Sequence, residues 1–286
     1  MILARTLSLA TSMTYSTGKL AVITGAGSGI GRALAQQLNR DGCALLLSDI
    51  NPEGLDETLQ LLERGDVSTQ TQVLDIADKA AVHAWADQIA AEHGHIDILI
   101  NNAGVALVAT VEESTYEDIE WLMNINFWGV VYGTKAFLPL LRKAKQGHLV
   151  NLSSIFGIVG IPTQSAYNAA KFAVRGYTES LRHELEGSNV QVCCVHPGGI
   201  KTNIALNSRS ADETSEREER NANFEKMAHT TPESAAGQII TAIEKKKKRL
   251  LIGSDAKFVS LVSRLFPVSY LRFLGGMGKP AKSVSQ

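Results

Sequence analysis

Tyr167 and Lys171 stand four residues apart in the run Tyr167-Asn168-Ala169-Ala170-Lys171, so a phenol and an ammonium leave one face of one helical stretch. A tyrosine with an ordinary pKa near ~10 is a poor base at neutral pH, and a neighbouring cation favours its phenolate. The pair is therefore a candidate for moving a proton. Shortly before it, Ser153 and Ser154 offer hydroxyls that can hold the oxygen of a reacting molecule and steady charge developing there. The Tyr-x-x-x-Lys spacing is common in helices, so its weight depends on its neighbours.

One neighbour is a glycine loop, Thr24-Gly25-Ala26-Gly27-Ser28-Gly29-Ile30-Gly31, set between an apolar run and a stretch rich in Ala, Leu and Gln. Glycines let the backbone turn sharply and approach a pyrophosphate, while a helix start supplies unpaired N–H groups and a partial positive charge. The spacing is G-x-x-x-G-x-G. It does not match G-x-G-x-x-G in register, and no Lys-Ser/Thr follows as in a P-loop. Gly25, Ser28, Gly29, Ile30 and Gly31 are the candidate contacts. Asp49 closes the next apolar run, where a carboxylate meets the hydroxyls of an adenosine ribose and repels a 2′-phosphate. Ile50 brings no positive charge, so NAD is expected rather than NADP.

Positioning these groups requires a particular scaffold. Apolar, β-rich runs at 20–24, 44–49, 69–74, 96–101, 148–153, 191–196 and 249–253 alternate with amphipathic helical stretches. That rhythm predicts a doubly wound, Rossmann-type α/β fold: a seven-stranded parallel sheet with helices on both faces, in a single domain. Helix starts are marked by Asn51-Pro52-Glu53 and Thr231-Pro232-Glu233, and Ser114 with Glu117 reads as a capping box. Ligands of such sheets bind at the carboxyl ends of the strands, where strand order reverses. Residues 1–17 read as a flexible extension, 18–254 as the nucleotide-binding domain with a charged segment at 203–229, and 255–286 as an amphipathic tail.

Composition narrows the partners. Lys plus Arg number 28 against 29 Asp plus Glu, so no overall field draws nucleic acid. Three cysteines without metal spacing make a disulfide framework or metal site unexpected and fit a reducing cytoplasm. No apolar run reaches the ~18 residues a membrane span needs. The run Lys245 to Lys248 with Arg249 reads as a solvated helix end.

Over residues 19–253 the chain resembles the short-chain dehydrogenase/reductase family. The likeness is carried by the T-G-x-x-x-G-x-G loop, Asp49, Asp75-Ile76, Asn101-Asn102-Ala103-Gly104, Asn126, Ser154, Tyr167, Lys171 and Pro197-Gly198. The resemblance implies that Tyr167 is the general acid/base and that Lys171 is both its electrostatic partner and a ribose ligand. Ser154, thirteen residues before Tyr167, holds the substrate oxygen, and Asn126 holds a water that passes protons to Lys171. Asn102 and Gly104 would cap the adenosine, Asp75 and Ile76 would meet the adenine, and Pro197, Gly198, Ile200 and Thr202 would face the nicotinamide side. Ser153, Asn101 and His196 read as structural.

By the same resemblance, Val105 to Leu107, Ile155, Phe156, Val159 and Ile161 would line a substrate pocket, joined by Ile204 to Leu206, Phe224 and Met227 from the covering segment. This list is apolar, so the expected substrate is a hydrophobic secondary alcohol or ketone, with Ser154, Phe156 and Tyr167 touching it. The tail could rest on a membrane surface, roof the pocket or join a subunit contact. A homodimer or homotetramer follows from the resemblance alone. An NADP-linked carbonyl reductase and a dinucleotide-sensing scaffold without chemistry are the other readings.

Overall fold

Strands apolar on nearly every residue must be covered on both faces. The computed structural model, which describes residues 14–210, 222 and 228–274, places the inner strands so, whereas the edge strand Thr69–Val73 has no buried residue. The chain runs β1 (Leu20–Thr24), α1 (Gly29–Arg40), β2 (Ala44–Asp49), α2 (Pro52–Gln60), β3 (Thr69–Val73), α3 (Lys79–His93) and β4 (Ile98–Asn101). It continues through β5 (Leu107–Val108), α4 (Tyr116–Met123), a π-helical turn (Asn124–Trp128), α5 (Gly129–Lys143), β6 (Gly147–Leu152), a 3-10 turn (Ile155–Gly157) and α6 (Ser165–Glu184). Then follow β7 (Val190–Pro197), β8 (Arg209–Ser210), α7 (Pro232–Glu244), β9 (Arg249–Ile252), α8 (Ser254–Leu265) and a second 3-10 turn (Tyr270–Phe273).

Seven strands form one sheet in the order β3-β2-β1-β4-β6-β7-β9, each pair parallel. Strand order reverses between β1 and β4, so a crevice opens there at the carboxyl ends. Ile23, Leu47, Ile100, Val150 and Val195 face α1 and α7 in one core, while Val22, Leu46, Leu99 and Leu149 face α3 and α5 in the other. The expected doubly wound sheet is present.

Details differ from the sequence reading. A second sheet of two strands pairs β5 with β8, joining the segment after β4 to the segment after β7. Asn51 and Thr231 cap α2 and α7 as their patterns predict, accepting from Gly54 and Ser234 N–H. At α4 the cap is Thr115, which accepts from Asp118 N–H, and not Ser114. Ser114 instead closes the preceding turn, donating from its hydroxyl to Val111 O. Residues 14–17 form a turn tied to the body by Tyr15, whose hydroxyl lies 2.6 Å from His148 Nε2 and donates to Gln146 at 2.9 Å. Phe224 and Met227 lie outside the described residues.

Candidate active site

The loop between β1 and α1 is shaped by contacts no larger residue would permit. Gly25 adopts φ +67°, and a methyl on Gly31 would lie 2.0 Å from the Gly25 carbonyl oxygen. Asn102 pins the loop from the tip of β4, donating from Nδ2 to Thr24 O at 2.9 Å and Gly25 O at 3.0 Å. The Thr24 hydroxyl accepts from the amides of Asn102 and Ala103. Ser28, at the N-cap of α1, is exposed and its side chain makes no capping bond. The first amides of α1 are thus presented to the crevice, with Thr202 beside Gly29, where an added methyl would lie 3.1 Å from Cγ2. Asp49 at the tip of β2 accepts from Gly27 N–H at 2.8 Å and Asn51 N–H at 3.0 Å.

These residues fit a dinucleotide: an open amide cradle at a helix start, with a carboxylate at the adjacent strand tip. Two expected contacts point elsewhere. The Ile200 side chain is buried in the core and that of Ile76 packs where a methyl on Gly129 would sit, so only their main chains can face a ligand. Asp75 stays exposed and accepts from Ala77 N–H.

The catalytic candidates meet on the other side of the crevice. Tyr167 and Lys171, one turn apart on α6, are both buried, with Lys171 Nζ 5.7 Å from the centroid of the phenol ring. The ammonium donates to Leu152 O at 3.1 Å. Burial pushes the Tyr167 phenol up to about 12, opposed by a hydrogen bond with Ser154. Burial also pushes the Lys171 ammonium down to about 8. Desolvation therefore disfavours the charged form of both groups in the protein matrix alone.

Gly104 comes close to this pair: a methyl there would stand 3.0 Å from Asn126 Oδ1 and 3.4 Å from Lys171 Nζ. The Asn126 side chain, in the π-helical turn, is spent on Val105, accepting from its N–H and donating to its C=O, each at 2.8 Å. Ser153 faces away, its hydroxyl donating to Lys171 O at 2.8 Å. His196 Nδ1 lies 3.0 Å from Ser154 O. A carbonyl only accepts, so this nitrogen carries the proton and fixes the Ser154 backbone.

Phe156 stands edge-to-face against Tyr167, with ring centroids 6.3 Å apart, and leads into an apolar wall that includes Ile155 and Val159. Sequence reasoning assigned no role to three residues that steady this side of the crevice, two of them at the wall and one at the loop after β7. Asn168 Nδ2 donates to Phe156 O and Val159 O, both at 2.8 Å. The Tyr270 hydroxyl donates to Gly160 O at 2.8 Å and accepts from Gly160 N–H at 3.0 Å. Asp255 accepts from Gly199 N–H at 2.7 Å, beside Pro197 and Gly198. Asn168 lay inside a recognised motif, whereas the other two carry no local signal.

The chain belongs to the short chain dehydrogenase family, whose sequence pattern matches residues 19–213. It is 45% identical over 266 residues to "Putative oxidoreductase SadH" of Mycobacterium tuberculosis, covering 92% of this chain and 96% of that protein. To the 3-ketodihydrosphingosine reductase of Bacteroides thetaiotaomicron it is 37% identical over 201 residues, 70% of this chain and 71% of that one. A short chain dehydrogenase/reductase from Burkholderia phymatum, solved in complex with NAD, superimposes with a TM-score of 0.80 at 27% identity, covering 96% of this chain and 100% of the other. Membership makes the chain an oxidoreductase acting on CH–OH groups with a nicotinamide cofactor.

Proposed function

We propose that the chain interconverts a hydrophobic secondary alcohol and its ketone with NAD(H), and that Tyr167 moves the proton. The observation that carries this reading is the meeting of the Tyr167 phenol, the Ser154 hydroxyl and the Lys171 ammonium at the foot of an apolar wall, across the crevice from the glycine loop. A bound nicotinamide supplies the hydride acceptor when oxidised, with a positive charge of its own, and the donor when reduced.

In the direction of ketone reduction, Tyr167 gives its proton to the developing alkoxide. A phenol held up to about 12 is fully protonated at neutral pH and ready for that role. In the direction of alcohol oxidation, Tyr167 Oη must take the hydroxyl proton, so positive charge beside it has to offset its burial. Lys171, at about 8, is still largely cationic at neutral pH and supplies one such charge. Ser154 holds the substrate oxygen, and Asn126, whose side chain is spent on Val105, would serve a water-borne proton path to Lys171 through its main chain.

Asp49 favours NAD, because a 2′-phosphate would meet its carboxylate next to the Gly27 amide. Phe156, Ile155 and Val159 favour an apolar substrate. The name of the Bacteroides relative, a reductase of the lipid 3-ketodihydrosphingosine, points the same way. The decisive test is Tyr167→Phe, assayed by NADH fluorescence over aliphatic, cyclic and steroidal alcohols. We expect kcat to fall by about 10²- to 10⁴-fold with NADH binding retained. Undiminished turnover would refute the assignment.

A further inference from the structure

The C-terminal segment has two unlike faces. On its inner side Ala256, Val259 and Val262 of α8 pack with Ile155 and Val159 of the pocket wall, and Asp255 is turned inward onto Gly199. On its outer side Phe258, Leu261 and Leu265 recur at helical spacing, followed by Phe266, Val268 and Phe273. These six side chains are 42% to 93% exposed, and the rings of Phe266 and Phe273 stack at 4.5 Å. So much large apolar surface in one short segment is unfavourable in water and marks an interaction site.

Charge identifies what covers it. Residues 256–286 contain five cations (Lys257, Arg264, Arg272, Lys279 and Lys282) and no acid, within a chain whose net charge is -1. Lys257, Arg264 and Arg272 are exposed and form no ion pair among the described residues. A second copy docked face to face through this surface would set these cations against their own equivalents, with no carboxylate to pair them. An anionic lipid surface complements both the apolar stripe and its basic flanks. Among the described residues no helix is long and apolar enough to cross a membrane, so α8 would lie in the interface.

We propose that α8 and the following 3-10 turn dock the protein on an anionic membrane surface, with Phe258, Leu261 and Leu265 entering the acyl boundary. The proposal goes beyond the assigned chemistry and does not depend on it. Docking would set the wall of the substrate pocket directly behind the lipid contact, because the two are opposite faces of one segment.

The test is sedimentation of the full chain with vesicles of phosphatidylcholine alone and of phosphatidylcholine mixed with phosphatidylserine. The wild type is expected to pellet with the anionic vesicles, less so as salt is raised. A Phe258→Glu, Leu261→Glu, Leu265→Glu variant is expected to lose at least ~10-fold in partitioning while still binding NADH. Should that variant misfold, Arg264→Glu with Arg272→Glu is expected to abolish the preference for anionic over neutral vesicles. Wild-type protein that stays in solution with both vesicle types overturns the proposal, as does undiminished anionic binding by the folded variants. Absence of vesicle binding, with a wild-type dimer that the triple variant converts to monomer, overturns it in favour of a second copy.

Discussion

Asp49 uses both carboxylate oxygens on backbone amides, Gly27 on one side and Asn51 on the other, so its negative charge is fixed in place at the tip of β2. A fixed charge discriminates better than a mobile one, because it cannot swing away from a repelled group. We therefore expect Asp49→Ala to weaken NAD binding and strengthen NADP binding, shifting the ratio of their dissociation constants by at least ~10-fold, a change worth about 1.4 kcal/mol. Titrating both cofactors against the two proteins by fluorescence checks this, and a wild type that already prefers NADP would overturn the cofactor choice. The same carboxylate was legible in the sequence, since an acid closing the second strand is a local pattern. What the sequence hid was the state of Tyr167: a cation one turn away can be read from spacing, whereas the burial that pushes the phenol up depends on the whole surrounding packing.

Among the elements, the loop of residues 157–163 is set by remote groups as much as by its own sequence. Tyr270 meets both the amide and the carbonyl of Gly160 from 110 residues away, and Asn168 holds Phe156 and Val159. Removing the Tyr270 hydroxyl leaves both backbone groups without their partner and frees the wall beside the pocket. Tyr270→Phe is expected to raise KM for an apolar alcohol several-fold, with kcat and the NADH dissociation constant nearly unchanged. Equal loss in both kinetic constants would assign Tyr270 another role. Elements built on local periodicity were legible: the seven main strands and the caps at Asn51 and Thr231 follow from apolar runs and N-cap-Pro patterns. The β5 and β8 ladder was not, because two residues carry no period and their pairing joins 107–108 to 209–210 through tertiary packing. Ser114 misled because it bonds back to Thr110 O and Val111 O, in a turn that Thr110 and Glu113 also close, before Thr115 caps the helix.

At the scale of the whole molecule, two imidazoles tie stability to pH. His148 and His196 are 2% and 0% exposed, and burial lowers each from 6.5 to about 4. Below 6.5 the unfolded chain takes up protons that the fold refuses, so the stability at stake is whole above that pH and is lost as pH falls toward 4. Each residue accounts for up to about 3 kcal/mol over that interval. Scanning calorimetry is expected to show Tm dropping steeply through the same range and flattening above it. A Tm that holds level through mild acid would contradict both assignments. The sheet order carries a different consequence. The glycine loop, Asp49 and Asn102 all fall within the first 102 residues, whereas the braces on Gly199 and Gly160 are Asp255 and Tyr270. A ribosome issues the chain from its amino end, so the groups that cradle a nucleotide emerge well before those that steady the reacting loops. The nascent protein would complete the adenosine end of the coenzyme cradle first, its nicotinamide end only with Lys171 and Thr202, and the braces on Gly199 and Gly160 later still.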